Sequence, residues 1–525
     1  MPAIASEKIP ILNREPQGCC IDVHEPIFIP DQENIRCLPG IPKRWLLVVL
    51  GFFGFFNVYA MRVNLSVAMV AMVQKPVHPD DNGSSSVACI ELLKQYSDDT
   101  NTSNADTMQG EFDWDASTQS VILGSFFYGY IFTQIPGGFI AEKYGAKWLY
   151  GIGVLITSVF TLLTPYAAHW GVGPLVAVRA IEGLGEGVTF PAMNAMIGRW
   201  APKMERSRMA AIVYSGAAVG NVFSFALSGY ISATIGWPSV FYIFGAAGMV
   251  WTAFWLLFVF ETPEHHPCIT QEEIKLIRRG QDSSGVWEAP CVPWKAILSS
   301  SYVWALVITH FGQNWGFYTL LTELPTYLAT ILHFDLKRNG TLSAFPYLMQ
   351  ALLAIFGSFL ADKLRSTGRY RINTIRKGFN SVAFFSPAIC VALVGYVGCE
   401  PTVIIVLLGL AVGLNGVSQS GYNVTHVDMC PEFAGTLMGI TNCIANFSGF
   451  LAPAFVGYIT QSGQTVNNWR IVFFTTSAIY VVCGLVYNFF CTAEPQPWGT
   501  NRIISKKSFD EKDNDMRTSI LENPS

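Results

Sequence analysis

Apolar residues fall in twelve long runs along this chain, at about 44–74, 117–141, 147–168, 172–199, 208–232, 237–260, 300–332, 341–362, 373–397, 401–427, 433–460 and 468–492. A helix needs roughly 20 predominantly apolar residues to cross a bilayer, so each run reads as one spanning helix. The expected fold class is an all-α integral membrane protein with twelve transmembrane helices. Polar residues inside the runs then carry the information.

The fourth run holds Arg179, Glu182 and Glu186, at offsets of three and four that put all three on one helix face. A charge at the centre of a membrane helix costs roughly 2.5 to 3.5 kcal/mol on insertion scales, so such groups persist where they pair, hydrate or bind something. A pure packing pair would use Arg179 and one glutamate and leave the second carboxylate unexplained. The pattern reads as the working part of a transporter. In the first run Phe55, Tyr59, Arg62 and Ser66 recur at four, three and four residues, which sets a guanidinium between aromatic faces and a hydroxyl. Arginine offers a carboxylate a planar two-point fork and stays charged at any relevant pH. Arg62 is therefore the expected substrate anchor, and its depth in the run argues against snorkelling to an interface. A carboxyl withdrawn from water takes up a proton more readily. Glu182 and Glu186 are accordingly expected to load a proton from an acidic lumen and release it to neutral cytosol, with Arg179 as internal counter-charge. No cofactor is expected beyond the proton.

Of the 525 residues 51% are hydrophobic and 13% are charged, against about 25% charged in soluble domains. The net charge of −4 matters less than its placement. Lys143 and Lys147, then Lys203, Arg206 and Arg208, then Lys275, Arg278 and Arg279, and a basic cluster from Lys363 to Lys377 occupy alternate loops. The positive-inside rule puts these loops and both termini in the cytosol. The expected organisation is a cytosolic tail over 1–43, a six-helix bundle over 44–260 with a lumenal loop at 75–116, a cytosolic central loop at 261–299, a second bundle over 300–492 and a disordered cytosolic tail over 493–525. The acidic first loop carries glycosylation sequons at Asn82 and Asn101, and a third at Asn339 falls near the membrane on the lumenal side. Sequons at Asn423 and Asn446 lie inside spans and read as chance. No cleavable signal peptide is visible in the first forty residues. The twelve cysteines show no metal spacing. Cys89 and Cys399 are both expected in the lumen, where a disulfide is chemically allowed, though the sequence does not define their separation.

Gly137–Tyr144 (GGFIAEKY), after the second run, matches Gly357–Leu364 (GSFLADKL), after the eighth. The second six helices echo the first six, as in transporters whose two bundles rock about a midplane site. The glycine, acid and lysine of this turn are expected to make cytosolic contacts that hold one state and break in another. Intramembrane enzyme chemistry is not expected, since the spans hold no Ser with His, no paired aspartates and no metal cluster. His310 reads as a lone packing or pocket residue. A sensor that binds an anion without moving it is the other class to weigh.

Gly138, Glu142, Lys143, Gly145 and Lys147, with Asp362 and Lys363 in the repeat, resemble the loop signature of the major facilitator superfamily, with glutamate at 142 for the usual aspartate. Phe52–Phe56, Tyr59–Val67 (YAMRVNLSV), Leu123–Gly138, Arg179–Met193 and Asn314–Tyr327 are more specific. They resemble the organic anion transporters of that superfamily, which include sialic acid, vesicular glutamate and type I phosphate transporters, across all twelve helices. The resemblance implies proton-coupled export of sialic acid and related acidic sugars from lysosomes by alternating access. Its alternatives are vesicular aspartate or glutamate transport, at a synaptic vesicle, and sodium-dependent phosphate transport, at a plasma membrane. It implies that Arg62 contacts substrate, that Glu182 and Glu186 couple the proton, and that Tyr59, Phe55, Phe126, Tyr130, Phe190, Tyr214, Asn314 and Tyr318 line the pocket. Vesicular glutamate transporters carry histidine where Leu123 stands, glutamine at Glu182 and arginine at Gln313, charges suited to a dicarboxylate that are missing here. Sialic acid transporters carry histidine at Asn194 and tyrosine at Gln313, so the preferred sugar is open at both positions. Glu7, Ile11 and Leu12 fit an acidic dileucine-type signal read by adaptor proteins on the way to lysosomes. Expected partners are a small carboxylate-bearing anion, membrane lipid and such adaptors, with no nucleic acid.

Overall fold

A computed structural model describes residues 42–74, 89, 110–202, 205–278, 292–430 and 433–498. The candidate positions Glu7, Ile11, Leu12, Asn82 and Asn101 lie outside these residues, as does the side chain of Glu142.

The first half comprises α1 (Lys43–Met72), α2 (Ala116–Tyr144), α3 (Ala146–Trp170), α4 (Val172–Gly187) with α5 (Thr189–Trp200), α6 (Arg206–Thr234) and α7 (Trp237–Phe258). Two short helices, α8 (Gln271–Arg278) and α9 (Trp294–Ser299), lead to α10 (Ser301–Thr330), α11 (Leu336–Ser366) and α12 (Ile372–Val397). The second half closes with α13 (Pro401–Asn415) and α14 (Tyr422–Met429), α15 (Ala434–Ala445) and α16 (Ser448–Thr460), and α17 (Val466–Phe490). Each expected run is a helix, but the fourth, tenth and eleventh are broken into pairs. In the fourth run Pro191 cannot donate to the Gly187 carbonyl, and the helix resets at Val188.

Nine spans among the described residues are long and apolar enough to cross a membrane by length and composition. The other three are α2, α4 with α5, and α10. They carry Tyr130, Arg179 with both glutamates, and Tyr318 with Thr322, the polar residues turned toward the centre.

Packing follows a pseudo-two-fold. Within the first half α2 packs on α4, α3 on α4 and α7, and α1 on α6 and α7. The corresponding pairs in the second half are α11 on α13, α12 on α13 and α17, and α10 on α15, α16 and α17. Across the halves α6 packs on α11, and the symmetry mate of that contact, α16 on α2, is present as well. The matched Gly137 and Gly357 segments end the equivalent helices α2 and α11.

The halves meet at their lumenal ends, by the charge assignment above. Gly229 of α6 lies against Gly340 of α11, where an added Cβ would come within 2.8 Å of the Gly340 Cα, and Gly457 of α16 lies against Ser120 of α2. Cys89 and Cys399 are disulfide-bonded with a Cα–Cα separation of 5.6 Å, which joins the first lumenal loop to the loop before α13. Among the described residues the cytosolic ends are parted. Gly435 and Gly439 share a face of α15 with the central Asn446, yet an added Cβ at either would meet no atom within 4 Å.

Asn339 does not present an open sequon. It is buried in α11, where its amide donates to the Pro325 carbonyl at 2.8 Å and its side-chain oxygen accepts from Ser343 at 3.1 Å.

Candidate functional site

Glycines bring the site's helices to backbone contact. Gly216 and Gly220 on α6 lie against the Phe52 and Phe56 carbonyls of α1, while Gly183 and Gly187 on α4 lie against the Phe126 and Tyr130 carbonyls of α2. Both pairs have the four-residue spacing that lets membrane helices approach closely. The approach sets Phe126 and Tyr130 over Arg62, with ring centroids 5.0 and 4.8 Å from its guanidinium carbon, and Tyr59 completes the cage at 4.4 Å. Cation–π attraction strengthens when such a group is desolvated, and Arg62 is only 6% exposed.

Two ion pairs share this centre. Arg62 pairs with Glu186, and Arg179 pairs with Glu182 at 2.5 Å. Arg179 also donates to the Arg62 carbonyl at 3.3 Å, so the pairs are mechanically linked. Their satisfaction differs. Glu182 accepts from Thr164 at 2.9 Å as well, and Thr157 donates to its carbonyl at 3.2 Å. Glu186 leaves Oε2 without a partner, and Arg62 leaves Nε without one. The pair at Arg62 therefore has spare valence for a further group.

A cavity opens beside it, lined by Arg62, Ser66, Phe126 and Arg179 from the first half and by Leu321 and Thr322 from the second. Its volume of about 20 Å³ is close to that of one water molecule. A sugar acid therefore requires the halves to separate around it.

The remaining expected site residues divide. Tyr318 reaches the centre, packing on Phe127 at 4.5 Å and donating to Asn446 at 2.8 Å. Asn446, dismissed from sequence as a chance sequon, is thus a buried polar partner near the site. Asn314 is buried on α10. Phe55, Phe190 and Tyr214 are not at the cavity but form their own cluster on the cytosolic side of it, with centroids 4.7 to 5.4 Å apart. Tyr59 connects that cluster to Arg62, at 6.4 Å from Phe190. Tyr214 donates to Asn194 at 2.5 Å, which places one specificity position beside the cluster. Gln313, the other, donates to Asn415 at 3.0 Å and accepts from Tyr422 at 3.1 Å.

His310 is not a lone histidine. His310 Nδ1 and His426 Nε2 meet the same Thr441 hydroxyl at 3.0 and 2.8 Å, and His426 Nδ1 reaches the Asn423 carbonyl at 2.9 Å. The link joins helices separated by more than a hundred residues, so local sequence carried no signal for it.

At the cytosolic ends the expected gating contacts are rearranged. Lys143 is exposed, with its ammonium over Phe139 and Tyr144, and Lys147 packs against Phe260 at 4.9 Å. Asp362 and Lys363 are exposed and make no ion pair among the described residues. A Cβ added at Gly138 would lie 3.8 Å from Pro191 Cβ, and Gly145 has φ +105, a conformation that favours glycine. The carboxylate that closes this corner is Glu261. It accepts from the Ala146 and Lys147 backbone N–H groups at 2.8 Å each and pairs with Arg199. Glu273 of α8 does the same at α1, accepting from Lys43 and Arg44 N–H groups at 3.0 and 3.1 Å. Anions at helix N-termini are favoured by exposed N–H groups and the helix dipole.

The major facilitator superfamily model matches residues 51–453. The chain belongs to the Major Facilitator Superfamily. Within it the chain is similar to sialin from Homo sapiens, 43% identical over 88% of this chain and 94% of the relative. It is also similar to a candidate inorganic phosphate cotransporter from Drosophila ananassae, 42% identical over 90% of this chain and 96% of the relative. Among solved structures, the D-xylose–proton symporter superposes with a TM-score of 0.62 at 14% identity, covering 86% of this chain and 98% of that one. Membership in this superfamily makes the chain a multi-pass membrane transporter, not an enzyme.

Proposed function

We propose that this chain is a proton-coupled carrier of carboxylate-bearing sugars such as sialic acid, moving them from an acidic lumen, that of the lysosome, to the cytosol. The observation that supports this reading most directly is the caged, incompletely satisfied Arg62–Glu186 pair at the contact of the two halves. Protonation of Glu186 removes the anion facing Arg62. A buried guanidinium without a counter-ion costs several kcal/mol, on the order of 3 to 5 when one partner of a buried pair is lost. A substrate carboxylate restores the balance by taking the fork. Proton and carboxylate thus bind together, and deprotonation of Glu186 toward the cytosol reforms the pair and expels the anion. This exchange by itself moves one proton with each carboxylate. Tyr59, Phe126 and Tyr130 shield the guanidinium from water, and Tyr318 and Thr322 offer hydroxyls to a polyhydroxylated ligand. Glu182, already satisfied by Arg179 and Thr164, holds the site's geometry and contributes less to the proton cycle.

The test is uptake of labelled sialic acid by vesicles containing the purified chain, with an imposed proton gradient. Proton-driven uptake lost in Arg62→Ala, and exchange that survives in Glu186→Gln while gradient-driven accumulation does not, is the expected result. Sodium-dependent phosphate uptake or potential-driven glutamate uptake, without a sialic acid signal, overturns the substrate assignment. The similarity to the Drosophila ananassae relative makes phosphate the first alternative substrate to include.

A further inference from the structure

A third buried carboxylate, Glu323 on α10, has no part in the ion pairs described above. It is 4% exposed, its Oε1 has no hydrogen-bond partner, and no basic side chain forms an ion pair with it among the described residues. Its neighbours in sequence, Leu321 and Thr322, line the central cavity.

The packing of α10 against α17 indicates what faces it. The two helices run antiparallel through a ladder of contacts. Gly312 lies against Cys483 and Gly316 against the Tyr480 hydroxyl, while Tyr327 packs on Phe473 and Trp469 at 5.1 and 5.0 Å. On a helix of 3.6 residues per turn, Leu320 and Glu323 share the face of Gly316 and Tyr327. On α17, Thr476 lies between Phe473 and Tyr480 on the face that meets α10. Thr476 is 1% exposed, and its hydroxyl also lacks a partner. The register of these contacts puts the two orphaned oxygens within about one turn of each other on the facing sides of α10 and α17, though they do not hydrogen-bond to each other. Titratable groups on the elements packed against α10 include Tyr480 on α17, Tyr347 on α11, Cys443 on α15, His426 on α14 and Arg62 on α1, and Arg62 is engaged by Glu186. On α16, Tyr458 is 74% exposed and turned away.

We propose that Glu323, on the face of α10 that meets the unpartnered Thr476 hydroxyl of α17, forms a second proton-binding site in the C-terminal half, loaded and emptied during the transport cycle. An ionised carboxylate here has no ion-pair partner among the described residues, whereas the acid form is neutral and can donate to a hydroxyl such as that of Thr476. Rocking of the halves that opens the cavity beside Thr322 admits water to Glu323 and lets the proton leave. The site rests on the proton-coupled reading for its role in transport, but not for its protonation. Carried together with the proton on Glu186, it makes each cycle move one more positive charge than a single carboxylate balances.

Two measurements on the full chain in lipid vesicles separate these points. Infrared spectroscopy at neutral pH is expected to show the carbonyl stretch of a protonated carboxyl that disappears in Glu323→Gln and shifts in Thr476→Val, a pair of near-isosteric changes that keep the interface packed. This readout needs no substrate, so it stands if the substrate assignment fails. With sialic acid, wild-type uptake is expected to respond to membrane potential, and Glu323→Gln to lose that response and one proton per substrate. A band that persists in Glu323→Gln overturns the protonation. A band that disappears while the proton ratio and potential response stay unchanged overturns the coupling role.

Discussion

Arg62 and Glu186 sit 124 positions apart in sequence, yet each depends on the other to be tolerable inside a bilayer. That dependence distinguishes them from Arg179 and Glu182, a pair one helical turn apart with extra support from Thr164 and Thr157. Removing one member of a buried pair costs roughly 3 to 5 kcal/mol because the other is left charged and alone. Glu182→Ala is therefore expected to lower the thermal stability of the purified protein by about that amount, while Glu182→Gln, which keeps the Thr164 contact and the packing, loses less. Thermal unfolding in detergent checks both. If Glu182→Gln instead abolishes the proton dependence of uptake with stability intact, the coupling role belongs to Glu182 as well. Arg62 and the two glutamates could be selected from sequence because charges are conspicuous in apolar runs. The pairing of Glu186 with Arg62 could not, since it joins two helices 124 residues apart, whereas Arg179 and Glu182 lie one turn apart on the same helix.

The helices are held in register by glycine contacts and by carboxylates at their N-termini. Gly183 against the Phe126 carbonyl and Gly129 against the Ala180 carbonyl are tight approaches of α4 and α2, and they bring Glu186 toward Arg62. Overpacking a tight interface costs about 1 to 3 kcal/mol, so Gly183→Ala is expected to destabilise the fold by that order and to weaken transport along with it. At the lumenal start of α2, Asp115 accepts from the Thr118 N–H at 3.0 Å. The Thr118 hydroxyl and backbone N–H hold the Asp115 carboxyl below its usual range. A depressed folded-state value means the stabilisation is complete above the unfolded value and is lost only as pH falls through the folded one, so the cap survives an acidic lumen. Asp115→Ala should cost about 1 kcal/mol, equally at neutral and mildly acidic pH, as read by thermal unfolding at both. The runs of apolar residues made the helices legible. The breaks in the tenth and eleventh runs were not, because they fall on a few small and polar residues, Gly416–Ser420 and Asn446, inside runs whose overall composition stays apolar.

Across the molecule, the two halves touch closely at the lumenal side through Gly229 with Gly340 and Gly457 with Ser120, and part at the cytosolic side. Access to the site from the lumen requires those glycine contacts to open. Gly229→Val places a side chain where Gly340 now lies and is expected to disfavour the lumen-closed arrangement by about 1 to 3 kcal/mol, shifting the population toward the lumen-open one. Labelling of Thr322→Cys by a membrane-impermeant thiol reagent from the lumenal side should then rise, and unchanged labelling counts against the assignment of these contacts as the lumenal gate. The fold class, the internal repeat and the two arginines and two glutamates as buried charges were readable from the chain, because hydrophobic runs and isolated charges are local properties that a bilayer makes costly to violate. The Glu261 and Glu273 caps, the His310–Thr441–His426 link, the separation of the Phe190 cluster from the cavity and the facing positions of Glu323 and Thr476 came only with the assembled helices. Each depends on which faces meet across long stretches of chain, and in a bilayer that choice is made by close packing and polar pairing between helices, for which an apolar sequence carries little local signal.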